Sequence, residues 1–272
     1  MAYFEVSFFS PTLNFNTEVN VIIPTPNSDE ILNNKKSDYL YHGAKFQVLY
    51  LLHGAYGDYS DWMRLTSIEK YAQDKKLAVV MPSASNSFYQ DMYRGSNYLT
   101  YLTEELPQFI EGLFPISSKK ENTFVAGLSM GGYGAAKLAL SKPEKYGACA
   151  SLSGALDLVG LKKDMDEGTL KGPFRWDAIF EKANEIEGSD ADLFALIKKH
   201  KENQVEIPAM FITCGKEDFI YKMNCNAKNK FEELGVEFTY EEHPGIHDWD
   251  YWDTHIHRVL DWLPLTQDSV EE

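Results

Sequence analysis

The chain has 272 residues, 44% of them hydrophobic and 25% charged, which suits a globular protein with a sizeable core and excludes disordered or collagen-like organisation. Its 26 basic residues are outnumbered by 41 acidic ones, a formal charge of −15, and a field of that sign opposes phosphate backbones and anionic membranes, so neither nucleic acid nor membrane is an expected partner. Cys149, Cys214 and Cys225 are too few and too scattered for a disulfide framework. Met1 to Ser10 carries no basic stretch followed by an apolar one, and no apolar run approaches the roughly 18 residues of a membrane span, so a cytoplasmic protein is expected.

In chain order, Tyr3–Phe9 and Phe15–Ile23 mix apolar and β-branched residues and predict an opening antiparallel strand pair. Pro24 to Lys45 is polar, holds two prolines and Gly43, and reads as a surface loop. Short apolar runs then recur at Phe46–Leu52, Leu77–Met81, Thr123–Ala126, Ala148–Leu152, Ala209–Cys214 and Glu237–Tyr240. Most are too uniformly apolar for strands with one wet face and predict a parallel sheet covered on both sides. Helical spacing is read at Ser67–Lys75, Leu99–Phe114, Gly132–Ser141, Lys222–Leu234 and Asp250–Leu263, with Pro107 expected to kink or divide the second of these. Strand and helix alternate, which predicts a single α/β domain over residues 1–272. Asp157 to Gln204 breaks the alternation and reads as a lid-like insertion between the sixth and seventh strands.

Gly127-Leu128-Ser129-Met130-Gly131 fits G-x-S-x-G, and its context gives the pattern weight. A strand enters it and an Ala/Leu-rich helix leaves. A serine at so sharp a turn presents its hydroxyl above the sheet edge, and the residues two before and two after crowd together, where only glycine lacks a Cβ to clash. A hydroxyl needs a base to become a nucleophile and a third group to orient the base. In the α/β-hydrolase order these follow as acid and then histidine. The predicted strand Ala209–Cys214 ends in Gly215-Lys216-Glu217-Asp218, so Asp218 is the expected acid, with Glu217 next and Asp157 third. Of the seven histidines, His42, His53 and His200 precede this acid. His247 lies in a loop between the last strand and the last helix, His243 sits at the strand end, and His255 and His257 fall within the helix, which favours His247 as the base. His243 and His247 are four apart, but Pro244 and Gly245 between them break a shared helical face, and H-E-x-x-H is absent, so no metal is expected. The oxyanion formed on attack needs two backbone N–H donors. Met130 follows the nucleophile, and Ala55 in His53-Gly54-Ala55-Tyr56-Gly57, directly after an apolar strand, is the second expected donor.

Together with Val79-Val80-Met81-Pro82-Ser83, Cys214-Gly215-Lys216-Glu217-Asp218 and His247-Asp248-Trp249, these motifs resemble the esterase D-like family of α/β-hydrolases over nearly the whole chain. Within it the sequence is most similar to bacterial tributyrin esterases. The resemblance implies hydrolysis of short-chain acyl esters without a cofactor, with Ser129, Asp218 and His247 as triad and Ala55 and Met130 as oxyanion donors. S-formylglutathione hydrolases, feruloyl and acetylxylan esterases and mycolyltransferases share that pattern, and many members form homo-oligomers. For specificity, Phe174, Trp176, Ile179 and Phe180 in the insertion are expected either to wall an acyl pocket or to form the insertion's own core. Phe88, Tyr89, Tyr93 and Arg94 mark an expected leaving-group site at a strand's carboxyl end.

Overall fold

The computed structural model describes residues 1–26, 32, 43–181 and 186–266. The expected loop from Pro24 to Lys45, including His42, therefore lies largely outside the described residues, as do residues 182–185 of the insertion. Eight strands form one sheet in the order β1-β2-β4-β3-β5-β6-β7-β8. Strands β1 (Ala2–Ser10) and β2 (Phe15–Ile23) pair antiparallel, and β2 also runs antiparallel to β4 (Ala78–Pro82). The remaining pairs are parallel: β3 (Val48–Leu52), β5 (Thr123–Leu128), β6 (Ala148–Leu152), β7 (Ala209–Gly215) and β8 (Phe238–His243). This is the mostly parallel sheet of the α/β-hydrolase fold.

The continuous apolar runs have their reason in a sheet buried on both faces. Val48, Tyr50 and Leu52 of β3 enter one core, while Leu49 and Leu51, pointing the opposite way, enter the other. The second core is closed by α1 (Asp61–Leu65), α2 (Ile68–Lys75) and α9 (Trp249–Trp262), which contribute Trp62, Ile68 and Tyr251 among others. The first is closed by α3 (residues 98–113), α4 (Met130–Ser141) and the insertion. Burying each large apolar side chain stabilises the fold by roughly 1.5–3 kcal/mol, so the inner strands admit little but hydrophobes.

Helix α3 starts at Tyr98–Thr100, passes through a π-helical stretch at Tyr101–Glu105 and ends as Leu106–Leu113. Pro107 divides it, as its missing N–H requires. The Thr103 carbonyl that this N–H would have served instead accepts from Lys145 Nζ at 2.6 Å. Between β6 and β7 the insertion supplies α5 (Leu158–Asp166), α6 (Trp176–Ile179) and α7 (Leu193–Glu202). After α7 come β7, then α8 (Tyr221–Glu233), β8 and α9. Among the described residues no helix is long and apolar enough to cross a membrane.

Strand order fixes where a site can form. From β3 the chain moves outward to β4, then returns to place β5 on the other side of β3. The crevice at the carboxyl ends of β3 and β5 lies where that direction reverses, the favoured ligand position in open α/β sheets. Leu52 pairs with Gly127, so the loop after β3 and the turn after β5 leave the sheet side by side.

Candidate active site

Ser129 stands at the turn from β5 into α4 with φ 54° and ψ −118°, a left-handed backbone state that costs a non-glycine residue roughly 1–3 kcal/mol. Surrounding bonds hold it there. Its N–H donates to Leu152 O at 2.9 Å, and its carbonyl accepts from Gly132, Tyr133 and Ala155 N–H at 3.0, 3.2 and 3.2 Å. A Cβ on Gly127 would strike the Gly131 carbonyl, and one on Gly131 would lie 2.5 Å from His53 O and 2.6 Å from Leu52 O. The two glycines thus let the elbow close on itself and on the end of β3.

The three side chains expected to meet do so. His247 Nε2 lies 2.9 Å from Ser129 Oγ, and Nδ1 lies 2.8 and 3.0 Å from the two oxygens of Asp218. The Asp218 side chain is wholly buried and also accepts from Ile220 N–H at 3.0 Å. A carboxylate offers only lone pairs, so this network assigns the imidazole proton to Nδ1 and turns the Nε2 lone pair toward the hydroxyl. The Trp252 ring meets the imidazole edge-on with centroids 5.0 Å apart, and Phe219 lies at 4.5 Å. Cys214, one turn of chain from the acid, keeps its thiol proton because burial pushes its pKa well up.

Glu217, the runner-up acid, has another task. Its carboxylate accepts from Gly245 N–H at 2.6 Å while its own N–H donates to Gly245 O at 3.1 Å. Lys216 N–H donates to His243 O at 2.9 Å, so the acid loop and the histidine loop are laced together. Asp157 caps α5 through Gly160 N–H and pairs with Lys230, with no bond to His247. His243 pairs with Glu241, and His255 hydrogen-bonds the Tyr251 carbonyl.

Ala55 and Met130 border the same cavity as Ser129 and His247. Neither N–H donates to an acceptor among the described residues, and Met130 opens α4, whose positive dipole end faces the turn. The loop bearing Ala55 is fixed by contacts the sequence did not reveal. His53 Nε2 accepts from Ala84 N–H at 2.9 Å, so its Nδ1 carries the proton and donates to Gly54 O at 2.7 Å. Burial lowers the pKa of this ring and keeps it neutral. Tyr89 Oη donates to His53 O at 2.8 Å, and Trp62 Nε1 donates to Leu52 O at 3.0 Å. Ala84 and Tyr89 come from the stretch after β4 and Trp62 from α1, so no local spacing announces them.

The cavity measures about 480 Å³. Leu161, Met165, Leu170 and Phe174 of the insertion form one apolar wall with Phe88. Of the insertion aromatics, Phe174 alone reaches the cavity. Trp176 and Phe180 stack behind Phe88 and Phe174 and form the insertion's own core with buried Ile179. The expected leaving-group site at residues 88–94 needs correction. Phe88 lines the cavity, but Tyr89 is spent on the His53 carbonyl, and Tyr93 and Arg94 bind the Ile179 and Ala178 carbonyls through their backbones. Two exposed aromatics at the rim, Tyr56 and Phe219, were not singled out by sequence reasoning.

The esterase family model matches residues 10–263. An acetyl esterase of Caldicellulosiruptor saccharolyticus is 33% identical over 98% of this chain and 100% of its own length. The chain belongs to the esterase family. Solved structures agree: a fluorophosphonate-binding serine hydrolase of Staphylococcus aureus, FphF, matches with TM-score 0.85 and 33% identity over 96% of this chain and 98% of that one. An S-formylglutathione hydrolase from Staphylococcus aureus matches with TM-score 0.82 and 32% identity over the same shares. This esterase is therefore a carboxylic-ester hydrolase of the serine-hydrolase type.

Proposed function

We propose that the chain is a serine carboxylesterase acting on short-chain acyl esters, with Ser129 as nucleophile, His247 as base and Asp218 as the group that orients it. The carrying observation is the unbroken relay from Ser129 Oγ through both imidazole nitrogens to a wholly buried carboxylate. In the first half-reaction Oγ attacks the ester carbonyl while Nε2 takes its proton, and the carbonyl π electrons move onto oxygen. The N–H groups of Ala55 and Met130 receive that oxyanion. Collapse of the adduct expels the alcohol, which takes the proton from Nε2. Water then enters by the same route, gives its proton to Nε2 and releases the acid, and Ser129 regains its hydrogen. Every atom is supplied by ester and water.

A cavity of about 480 Å³ lies in the lower half of the range for small-molecule sites. That size, the apolar wall from the insertion and the acetyl esterase relative support short acyl chains, within reach of tributyrin-type substrates. The S-formylglutathione hydrolase neighbour supports a second reading, a thioesterase using the same relay. A panel of p-nitrophenyl esters from acetate to decanoate, with S-formylglutathione alongside, tests both. Turnover should peak at C2–C4 and vanish in Ser129→Ala. A peak at long chains would overturn the short-chain reading, and a strong preference for S-formylglutathione would replace the ester by the thioester.

A further inference from the structure

Phe88 borders the cavity and packs against Phe174, ring centroids 4.3 Å apart. Its backbone lies in the left-handed region at φ 50°, and Tyr89 follows at φ 57°. Bulky residues are outliers there, and such a state persists only where the surroundings over-determine it. Here the support is visible. Gln90 Nε2 donates to Phe88 O at 3.1 Å and to Tyr133 Oη at 2.8 Å, and Tyr133 Oη donates to Ala191 O at 2.7 Å. An amide nitrogen carries two hydrogens and a phenol one, so every hydrogen of this relay has its acceptor.

The relay joins three parts of the chain: the stretch after β4, helix α4 and the insertion. Gln90 and Tyr133 are both buried, and burial pushes the Tyr133 phenol well up, so it keeps its proton. The Tyr133 ring meets Phe88 edge-on, centroids 5.5 Å apart. On the next residue of α4, a Cβ at Gly134 would lie 2.4 Å from the Tyr89 ring, so the helix makes room for this loop at a cost to its own propensity. Tyr89 is itself tied to His53 O at 2.8 Å, which leaves the Phe88 carbonyl to Gln90. Filling the same space would not require buried polar groups, which cost stability unless they are paired.

We propose that Phe88 sets the upper acyl length of the cavity, and that Gln90 and Tyr133 are positioning residues that hold the Phe88 backbone in its left-handed state and so keep its ring against Phe174. The proposal rests on the reading above in which the acyl chain meets the insertion's apolar wall. Release of the Phe88 carbonyl lets φ return to negative values, and the ring then leaves Phe174. The space it vacates admits further methylenes of the acyl chain.

The test reads kcat/KM for p-nitrophenyl hexanoate relative to the acetate. Phe88→Ala should raise this ratio about tenfold. Tyr133→Phe, which subtracts one oxygen, and Gln90→Met, which keeps the side chain's length, should each raise it about threefold, mainly through the KM for hexanoate. With both relay substitutions together the ratio should rise no further than with the stronger single one, because either break opens the same relay. Lys137→Met removes the neighbouring bond from α4 to Asp190 O without touching Phe88 and should leave the ratio at its wild-type value. An unchanged or lowered ratio in both relay variants overturns the positioning role. So does a full sum of the two shifts in the double variant, or an equal rise in Lys137→Met, which would mark general loosening of the insertion. If Phe88→Ala and Phe174→Ala both leave the ratio unchanged, the acyl chain does not meet this wall and the underlying reading falls. A shift in Phe174→Ala without one in Phe88→Ala removes only the role of Phe88.

Discussion

Along the sheet edge, the groups that meet at Ser129 are held by close contacts with no spare volume: Gly131 lies under the backbone carbonyls of Leu52 and His53, and Gly54 under the Leu128 side chain. The insertion offers the cavity Leu161, Met165, Leu170 and Phe174. The rear of the insertion is pinned to α4, through Tyr133 Oη to Ala191 O at 2.7 Å, Lys137 Nζ to Asp190 O, and His200 Nε2 to Leu140 O at 2.6 Å. Among the described residues, no hydrogen bond ties the cavity-lining stretch 161–174 to α4. The contrast teaches that the reacting groups sit in a frame where one methyl is too many. The cavity's apolar wall can change volume while its frame stays put.

Substitutions on the two sides should therefore differ in kind. The largest effect belongs to Ser129→Ala, which should lower kcat on the order of 10⁵–10⁶-fold with little change in stability; near-normal turnover in stopped assays would remove the serine from the chemistry. Next, Gly131→Ala should push the strand end carrying the oxyanion loop. We expect a loss of about 10²-fold or more in kcat and a fall of roughly 3–10 °C in Tm. Wild-type kinetics and melting in that variant would break the frame-versus-wall distinction. On the wall, Phe174→Ala should move the chain-length optimum toward longer acyl groups, with the hexanoate-to-acetate ratio rising about fivefold. An unchanged profile would show that the acyl chain lies elsewhere.

The smallest effect is on stability with pH. Burial lowers the pKa of His53 and His255 in the folded chain, while the unfolded chain binds protons near pH 6.5. Above about 6.5 both states are neutral at these rings and their contribution is fully present. As pH falls below that value the unfolded state takes up protons first, so stability declines. Tm measured from pH 7.5 to 5.5 should fall, and His53→Gln should flatten the slope. A Tm that rises toward pH 5.5 would contradict the burial of neutral imidazole. Carboxylates such as Glu241, held down to about 2 chiefly by Arg258, act only below this window.

The same contrast explains what the sequence disclosed. The elbow at Ser129, Asp218 and His247 follow from short motifs whose spacing the local geometry demands, and the structure brings these three side chains together. The sequence ranked Asp218 before Glu217, and the coordinates give the reason for the difference: the two adjacent acids face different ways, Asp218 toward His247 and Glu217 toward Gly245 N–H. His53 as a clamp and Tyr89 as its support depend on contacts 31 and 36 residues apart in sequence, and Trp62 acts from α1 on the neighbouring Leu52 carbonyl. Phe174 and Trp176 look alike in composition, yet one lines the cavity and the other stacks behind it. Leu161 and Met165 went unnoticed because an apolar helix face does not declare which cavity it closes.

Covalent capture tests the central claim most directly. Stoichiometric fluorophosphonate treatment, followed by peptide mass mapping, should place one phosphonyl group on Ser129. His247→Ala should slow the labelling steeply. Adduct on any other residue with Ser129 unmodified, or labelling at full speed without His247, would contradict the account.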